Sequence, residues 1–547
     1  MNDNSPERSY LITGARVYTA DPTRPWAEAV LTRGSRIAFV GGENETRDAA
    51  FGNLEEISMP GGLALPGLND SHIHMTMGSY DLTILNLEGA FTVEELLGRL
   101  GRYAAENPER EWIEGYGLPY EPLTGIDRPE REVLDAVVPD RPVYVRAFDS
   151  HSSWCNTAAL QRAGIERGAD IPLPNEVVVD RATGKSTGML KEKLADDIIA
   201  TAIGKPDQAE LDAVLCRAMG YLNGLGMTSV QNMDGDLHRL EQYERLLGRG
   251  DLSIRAYHYM SVREETPRDY LGECAGYARR FRGPWNRTGG IKLFIDGVVE
   301  SKTAWMLDPY ADGSADTGMP DIDPEAYRQI VLAADRLGLD VATHAIGSRG
   351  IRTAIDAYQA AAEANGPGRE RRHRVEHIEC APPSDLPRFG RLGITASMQP
   401  LHAAPTTDPR FTPWTRLIGH EREPHAFNWR TLAETGATLA FGSDWPIVTP
   451  DVRAGLHAAL TRTTVDGEPE GGWQPQQCLT LAQALDAYTR GAAHAERQDG
   501  DKGMLRAGML ADVTVFSHDL FRLTPREVLS VPVALTMVDG RVVHRAE

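Results

Sequence analysis

The stretch GGIKLFIDGVVESK, residues 289–302, places one basic side chain inside an apolar strand. Ile291 and Leu293 flank Lys292, and apolar residues on both faces of a strand are typical of a parallel sheet covered by helices. A lysine is almost never fully buried without a partner, and this chain has seven lysines beside fifty arginines. The segment therefore indicates an α/β fold and suggests that Lys292 does more than fill space in the core.

Strand-like and helical segments alternate outward from this strand over most of the chain. Helical patterns such as 324–338 and 352–365 separate the strand-like runs. Eight runs have the composition of barrel strands: 68–74, 228–233, 253–260, 290–296, 339–344, 373–379, 394–400 and 438–444. Eight strands with helical crossovers predict a (β/α)₈ TIM barrel, which we place at 63–499.

Two further parts are expected around the barrel. Roughly 150 residues separate its first two strands, far more than a connecting loop needs, and they include the strand-like run RPVYVRAF. This predicts an inserted subdomain or lid at 76–215. Both chain ends carry short strand runs broken by glycine-containing turns, which are typical of antiparallel hairpins. They predict one composite β-sandwich from residues 1–62 and 500–547.

Composition limits the partners and the compartment. The formal net charge of −21 repels nucleic acid and anionic membrane surfaces. No apolar run is long enough to span a bilayer, and the polar N-terminus lacks a signal sequence. Five cysteines without CxxC spacing fit a reducing cytoplasm and argue against a thiolate zinc site. We expect a cytoplasmic homodimer that acts on a small molecule.

Side chains able to bind a metal lie at or near the ends of several predicted barrel strands. Alternate residues of a strand point the same way, so the HIH motif directs two imidazoles to one side. Taken singly, each such residue is more often structural, as a core histidine or a helix cap. Because five predicted strands carry such residues near their C-terminal ends, where barrels of this kind have their active sites, the residues together indicate a metal centre. The set is His72, His74, Lys292, His344, His377 and Asp444.

Ordered motifs give the chain a family resemblance. The first set, together with the strand lysine, resembles the amidohydrolase superfamily of metal-dependent hydrolases: PGLNDSHIH (66–74), ATHAIG (342–347), RVEHIE (374–379) and FGSDWP (441–446). A second set is similar to amidohydrolase family 3, the N-substituted formamide deformylase-like branch: HSSWCNTAAL (151–160), DGVVESKTAWMLDPYADG (296–313) and SMQPLH (397–402). The resemblance covers essentially the whole chain. It implies a TIM barrel with a composite β-sandwich and, in many members, a carboxylated lysine that bridges two metals.

A carboxylated Lys292 has a physical rationale. Burial and nearby cations lower a lysine pKa from about 10.4 and favour the free amine. The amine adds carbon dioxide to give a carbamate, whose two oxygens can bridge two metals, whereas arginine cannot be deprotonated. Two alternatives stay open: an ion pair of Lys292 with Asp296 or Glu300, and a single-metal site with an unmodified Lys292.

The ligand types favour zinc, as one or two ions, with manganese, iron or nickel as alternatives. A bound metal lowers the pKa of water toward about 7 and polarises a carbonyl, so a metal-bound hydroxide is the expected nucleophile. Asp444 would carry its proton to the leaving amine. His402 is a candidate donor to the substrate carbonyl, or else a surface histidine. Glu376 and Glu379 are partners of the ligands or ordinary polar residues of the strand.

Other residues are candidates to contact the substrate. They are His151, Trp154 and Asn156 in the insertion, and Trp305 and Trp445 beside the metal motifs. For the tryptophans, simple packing is the alternative.

The sequence therefore predicts a metal-dependent hydrolase that cleaves a C–N bond in an N-substituted amide, formamide or cyclic amide. Alternatives keep the metal site but use it for ester hydrolysis, deamination or decarboxylation. A non-catalytic scaffold is disfavoured by the full ligand set.

Overall fold

The computed structural model describes residues 8–120, 130–147, 152–172, 175–204, 206–403 and 408–546. The chain divides into two compact units. We call Thr76–Ala218 the inserted unit, and Met1–Met75 together with Met219–Glu547 the main unit.

The main unit contains a sheet of eight parallel strands whose spatial order follows the chain. The strands are β1 (Leu68–Ile73), β2 (Met227–Gly235), β3 (Arg255–Ser261), β4 (Asn286–Phe294), β5 (Asp340–Ala345), β6 (Arg374–His377), β7 (Thr395–Met398) and β8 (Leu439–Phe441). The segment just beyond β8 pairs with the end of β1: a β-bridge joins Trp445 to Ile73, and the Asp444 N–H donates to the His72 carbonyl at 2.7 Å. The predicted (β/α)₈ fold is confirmed.

Helices follow most barrel strands and cover them. Their bounds are Leu237–Arg249, Tyr270–Arg280, Pro324–Arg336, Ser348–Asn365, Leu386–Leu392, Pro413–Ile418, Trp429–Glu434, Val452–Thr461, Leu481–Ala487 and Arg490–Ala495. A further helix, Gln208–Gly224, begins in the inserted unit and ends in the main unit. The helix at Pro324 begins there because the Asp323 carboxylate accepts from the N–H groups of Glu325 and Ala326. Proline at the first helical position suits the same start. β4, which these helices help to bury, carries Lys292 between Ile291 and Leu293, both fully buried.

The two chain ends form the remaining part of the main unit. A four-stranded sheet has the order Arg36–Gly41, Ala29–Arg33, Ser9–Thr13, Leu54–Ser58. A six-stranded sheet has the order Arg541–Arg545, Val533–Val538, Val513–Phe516, Leu63–Pro66, Arg16–Tyr18, Trp26–Ala27. Leu63–Pro66 pairs antiparallel with Val513–Phe516, so the N- and C-terminal segments share one sheet. The composite β-sandwich of the predicted fold is thereby confirmed.

The inserted unit has its own sheet and hydrophobic core. Its six strands have the order Glu176–Asp180, Lys185–Lys191, Ser152–Cys155, Val143–Ala147, Ile113–Leu118, Leu85–Asn86. Its helices are Val93–Glu106, Arg131–Asp135, Thr157–Ala163 and Lys193–Ile203. The sequence indicated one strand here, Val143–Ala147. Four of the others are short or carry glycine, which weakens a strand pattern, whereas Glu176–Asp180 has neither property and was missed.

Within the ranges that the structure describes, no helix is both long enough and apolar enough to cross a membrane.

Candidate active site

The predicted metal ligands meet at the C-terminal ends of the barrel strands. The ring centroids of His72 and His377 are 4.9 Å apart, and those of His344 and His377 are 4.4 Å apart. Lys292 is 1% exposed, and its Nζ lies 3.4 Å from His72 Nε2. Residues from five strands therefore form one cluster, which we call the ligand cluster.

Asp444 lies at the centre of the ligand cluster. Its Oδ1 is 3.3 Å from His72 Nε2 and 3.2 Å from His74 Nε2, and its Oδ2 is 3.8 Å from His402 Nε2. Among the described residues, the buried Asp444 Oδ1 and His402 Nε2 have no hydrogen-bond partner. Tetrahedral zinc with bonds of about 2.0–2.2 Å holds ligand atoms roughly 3.3–3.6 Å apart. The oxygen and the two imidazole nitrogens therefore fit a divalent cation between them.

The donor atoms form two overlapping groups that could each hold a metal ion. One consists of His72, His74 and Asp444, and the other of His377, His402 and Asp444. Imidazole and carboxylate donors without a thiolate suit zinc and other first-row metals.

Each of three buried histidines has one ring nitrogen bound to a protein oxygen. The pairs are His72 Nδ1 with Glu376 Oε2 at 2.6 Å, His377 Nδ1 with Gln399 Oε1 at 2.8 Å, and His344 Nε2 with the Gly297 carbonyl at 3.2 Å. A neutral imidazole carries one proton, and such a partner fixes where that proton lies. His72 and His377 are thus left with Nε2 as the donor to a metal, and His344 with Nδ1.

Burial keeps these imidazoles neutral. It lowers the pKa of His72 and His377, and it lowers that of His344 to about 3; neighbouring Lys292 lowers all three further. Burial alone would raise the pKa of Asp444, but the surrounding histidines hold it well below its usual range. The cluster therefore presents neutral imidazoles around an ionised carboxylate, the protonation states that metal binding requires.

Two of the candidate ligands have an unusual backbone conformation that directs their side chains. His377, at the end of β6, has φ 71°, and Asp444 has φ 62°. Residues other than glycine rarely adopt this left-handed region, which costs of order 1–3 kcal/mol where the surrounding structure enforces it. Here the Asp444 N–H is bonded to the His72 carbonyl, which holds the strained turn in place.

A buried carboxylate and a glycine support the same turn. Asp70 accepts from Ser443 N and Oγ and from His72 N. A Cβ on Gly442 would overlap the backbone nitrogen of His72 and lie 2.7 Å from Asp70 Oδ1. Close approach of the two chain segments therefore requires glycine at 442.

Lys292 does not form the ion pair with Asp296 or Glu300 that the sequence left open. The Asp296 carboxylate accepts from the backbone N–H groups of Ile346, Gly347 and Trp305 at 2.8–3.0 Å. No carboxylate oxygen in the described parts of the chain lies within 4.0 Å of Lys292 Nζ. The ion-pair alternative is therefore not supported, and Asp296 instead ties together the loops after β4 and β5.

His402 lies beside the ligand cluster rather than on an open surface loop. Its ring is parallel to that of His377, with centroids 5.7 Å apart. Its Nδ1 is 3.8 Å from Glu379 Oε1, and Trp414 Nε1 donates to the other Glu379 oxygen at 2.7 Å. Burial lowers the pKa of His402, but Glu379 and Asp444 outweigh it and raise the pKa. This side chain is therefore suited to donate a proton or a hydrogen bond within the site.

The candidate substrate contacts of the insertion have different surroundings. His151 lies outside the described residues. Trp154 is 1% exposed and packs in the core of the inserted unit with Ile113 and Val145. Asn156 caps the helix Thr157–Ala163 and has both sides of its amide bound to backbone groups. The structure thus shows packing contacts for Trp154 and capping contacts for Asn156, and their contact with a substrate stays a prediction.

The two tryptophans of the main unit flank the ligands. Trp305 is half-buried beyond β4, and its backbone N–H donates to Asp296. Trp445 directly follows Asp444 and is buried, with its ring centroid 6.0 Å from that of Tyr221. Their role as apolar walls of a substrate pocket stays a prediction.

The sequence interpretation missed several residues that hold the ligands. They are Arg374 behind Glu376, Gln399 behind His377, and Asp70 with Ser443 behind His72. The sequence contained a signal for two of them. Alternate residues of a strand point the same way, and Asp70 and Arg374 lie two residues before His72 and Glu376, which the sequence had already indicated.

Comparison with known proteins shows which family the chain belongs to. Residues 55–544 match the sequence model of the amidohydrolase family. The chain belongs to the amidohydrolase family. This amidohydrolase is 28% identical to YtcJ of Bacillus subtilis, over 97% of this chain and 98% of that protein. It is 27% identical to N-substituted formamide deformylase of Arthrobacter pascens, over 97% and 98%.

A solved structure shows the same fold. The metal-dependent hydrolase of Pyrococcus furiosus is 26% identical, with a TM-score of 0.75 over 95% of this chain and 100% of that one. The resemblance read from the sequence is confirmed, and the protein is a metal-dependent hydrolase of the amidohydrolase superfamily.

Proposed function

We propose that this amidohydrolase hydrolyses a C–N bond in a neutral N-substituted amide, formamide or cyclic amide. One observation carries the proposal. The Asp444 carboxylate turns Oδ1 toward two candidate ligands, His72 and His74, and Oδ2 toward His402. A single buried carboxylate therefore joins the metal-binding groups to a proton donor.

The residues that would hold the metal are those of the ligand cluster, with zinc as the first choice. When bound, such an ion supplies water of lowered pKa and polarises a carbonyl. Burial lowers the pKa of Lys292 to about 8, against the opposing effect of Glu376 and Asp444. The free amine can then add carbon dioxide, with loss of a proton, to become a carbamate ligand.

The protein's own groups would move the proton. Asp444 takes it from the attacking water and delivers it to the leaving nitrogen. His402 donates to the carbonyl oxygen as negative charge develops there. An amide nitrogen is a poor leaving group until it is protonated, whereas an activated ester needs no such step. A carboxylate placed between water and leaving group is therefore most useful for cleaving amides.

The substrate class has two supports. The related Arthrobacter protein is named as an N-substituted formamide deformylase. Arg374, close behind the ligands, is bound by protein acceptors and offers no clamp for a phosphate. Both favour a neutral amide over a phosphoester.

The test uses one aryl group in three substrates: an N-aryl formamide, which releases an arylamine, and the matching aryl formate and aryl phosphotriester, which release an aryloxide. The zinc-loaded enzyme should cleave the formamide, a chelator should abolish this, and zinc should restore it. Asp444→Asn should lower formamide turnover by about 10²–10⁴-fold and turnover of the ester much less, since aryloxide leaves without a proton. Preference for the phosphotriester, or chelator-resistant cleavage, would contradict the proposal.

A further inference from the structure

A fully buried arginine lies directly behind the ligand cluster. Arg374 is 0% exposed and precedes Glu376 by two residues on β6, so both side chains point to the same side of the strand. A guanidinium cannot lose its proton, and burying its charge is costly unless good partners surround it. The groups that bind its guanidinium must therefore compensate for the cost of burying its charge.

The partners of Arg374 come from four barrel strands. Nε donates to Glu376 Oε1 at 2.5 Å, and Nη2 donates to Glu376 Oε2 at 2.8 Å and to the Ser71 carbonyl at 2.7 Å. Nη2 also contacts Ser397 Oγ, and Nη1 donates to Gln231 Oε1. The guanidinium thus has a fixed orientation, set by acceptors on β1, β2, β6 and β7.

Arg374 Nε and Nη2 both donate to Glu376, but they differ in how many other acceptors each can reach. The single N–H of Nε has one acceptor here, Glu376 Oε1, whereas Nη2 can also use Ser71 and Ser397. An acceptor is therefore required at the Oε1 position. A carboxylate meets this need and still offers Oε2 to His72 Nδ1–H at 2.6 Å, whereas an amide has only one oxygen.

We propose that Arg374 is a positioning residue that acts on the metal centre through Glu376 and His72. By holding both Glu376 oxygens, it keeps an acceptor facing His72 Nδ1, so that the His72 proton stays there and Nε2 remains free for the metal. The inference rests on the metal-binding part of the proposed function and is independent of the bond that is cleaved.

Glu376→Gln is the first test because it changes the charge but not the shape. Arg374 Nε should take the amide oxygen, which turns the amide NH₂ toward His72 Nδ1 and forces the proton onto Nε2. Loss of such a partner typically costs 10–100-fold in metal affinity. The zinc-loaded full-length variant should therefore release zinc to a chromogenic chelator about 10–100-fold faster than the native protein.

The double variant Arg374→Met/Glu376→Gln separates positioning from packing. Without Arg374, the amide is free to turn its oxygen toward His72, so zinc retention should recover above that of Glu376→Gln. A merely structural arginine would give the opposite result, a further loss. If the double variant does not fold, Arg374→Lys replaces it; a lysine lacks the fork that holds both oxygens, so zinc release should again be faster than in the native protein.

A matched control exists in the same unit. Arg255 is also buried and binds both Asp512 oxygens, at 2.8 and 2.9 Å, away from the ligand cluster. Asp512→Asn should lower the melting temperature yet leave zinc release unchanged. Native-like zinc retention in Glu376→Gln, or a further loss in the double variant, would overturn the role of Arg374 but not the proposed function. A native protein that binds no zinc or other divalent metal would instead overturn the proposed function.

Discussion

Lys292 is buried on a barrel strand, 3.4 Å from His72 Nε2 and without a carboxylate within ion-pair distance among the described residues. Burial lowers its pKa to about 8, opposed by Glu376 and Asp444, so roughly a tenth is free amine at pH 7, far more than for an ordinary lysine. This environment makes a lysine both tolerable in the core and reactive toward carbon dioxide.

Lys292→Ala should lose zinc and activity together, because it removes the atoms that would form the carbamate. Bicarbonate with a short carboxylate such as acetate or propionate should partly restore both. Zinc content and turnover provide the measurement, and Lys302→Ala, at a partly exposed lysine paired with Asp312, is the control. An unmodified Lys292 in intact-mass analysis of a fully active, zinc-loaded enzyme would contradict the carbamate.

Zinc uptake by the metal-free protein should depend on pH through the same amine. Below a pH of about 8 Lys292 is mainly protonated and cannot attack carbon dioxide, so carbon dioxide-dependent uptake should rise as the pH increases through that value. Uptake with and without carbon dioxide, from pH 6.5 to about 9, gives the comparison. Lys292→Ala should show no carbon dioxide-dependent rise, and a native response that falls with pH would refute this assignment.

The contacts that close the barrel also bring candidate metal ligands together. The segment after β8 reaches β1 through the Asp444 N–H and the bridge between Ile73 and Trp445. The strand ends that close the sheet are also those that carry His72 and Asp444. Spreading the two strands should therefore separate metal ligands as well as weaken the sheet.

Gly442→Ala tests this coupling. The added methyl group would overlap the His72 backbone, so both the melting temperature and zinc retention should fall. Gly248→Ala is the control, because that helical glycine is exposed with open space around it and alanine there favours the helix by roughly 0.5–1 kcal/mol. Unchanged zinc retention in a destabilised Gly442→Ala protein would show that closure and metal binding are independent.

The strands and their metal-binding ends were accessible from sequence because both follow simple periods. Alternation of strands and helices identified the barrel, and the spacing of His72 and His74 placed two imidazoles on one side. The contacts of Arg374 were not accessible, since they join strands whose register only the folded sheet defines. The packing role of Trp154 and Asn156 was not accessible either, because their burial and backbone hydrogen bonds arise only in the folded chain.

The composite sandwich is built from residues of both chain ends. Its core includes Val17, Ile57, Val515 and Leu535, all fully buried. The sandwich is a separate layer of the main unit from the ligand cluster, so its packing should affect stability more than metal binding.

Leu535→Ala should lower the free energy of unfolding by about 2–5 kcal/mol, the usual cost of a buried leucine. Zinc stoichiometry and turnover should stay near native values below the melting temperature. Thermal denaturation and metal analysis measure the two effects, with Leu337→Ala at an exposed position as the control. Loss of zinc in folded Leu535→Ala would show that the sandwich shapes the ligand cluster.

The pairing of Leu63–Pro66 with Val513–Phe516 also matters during synthesis on the ribosome. Leu63–Pro66 leaves the exit tunnel roughly 450 residues before Val513–Phe516, a delay of about 20–90 s at ordinary translation rates. For that time its edge is unpaired, and unpaired edges readily join other chains. Slower elongation or premature termination should therefore yield aggregated nascent chains, and a chaperone that shields early strands should raise the yield of native enzyme.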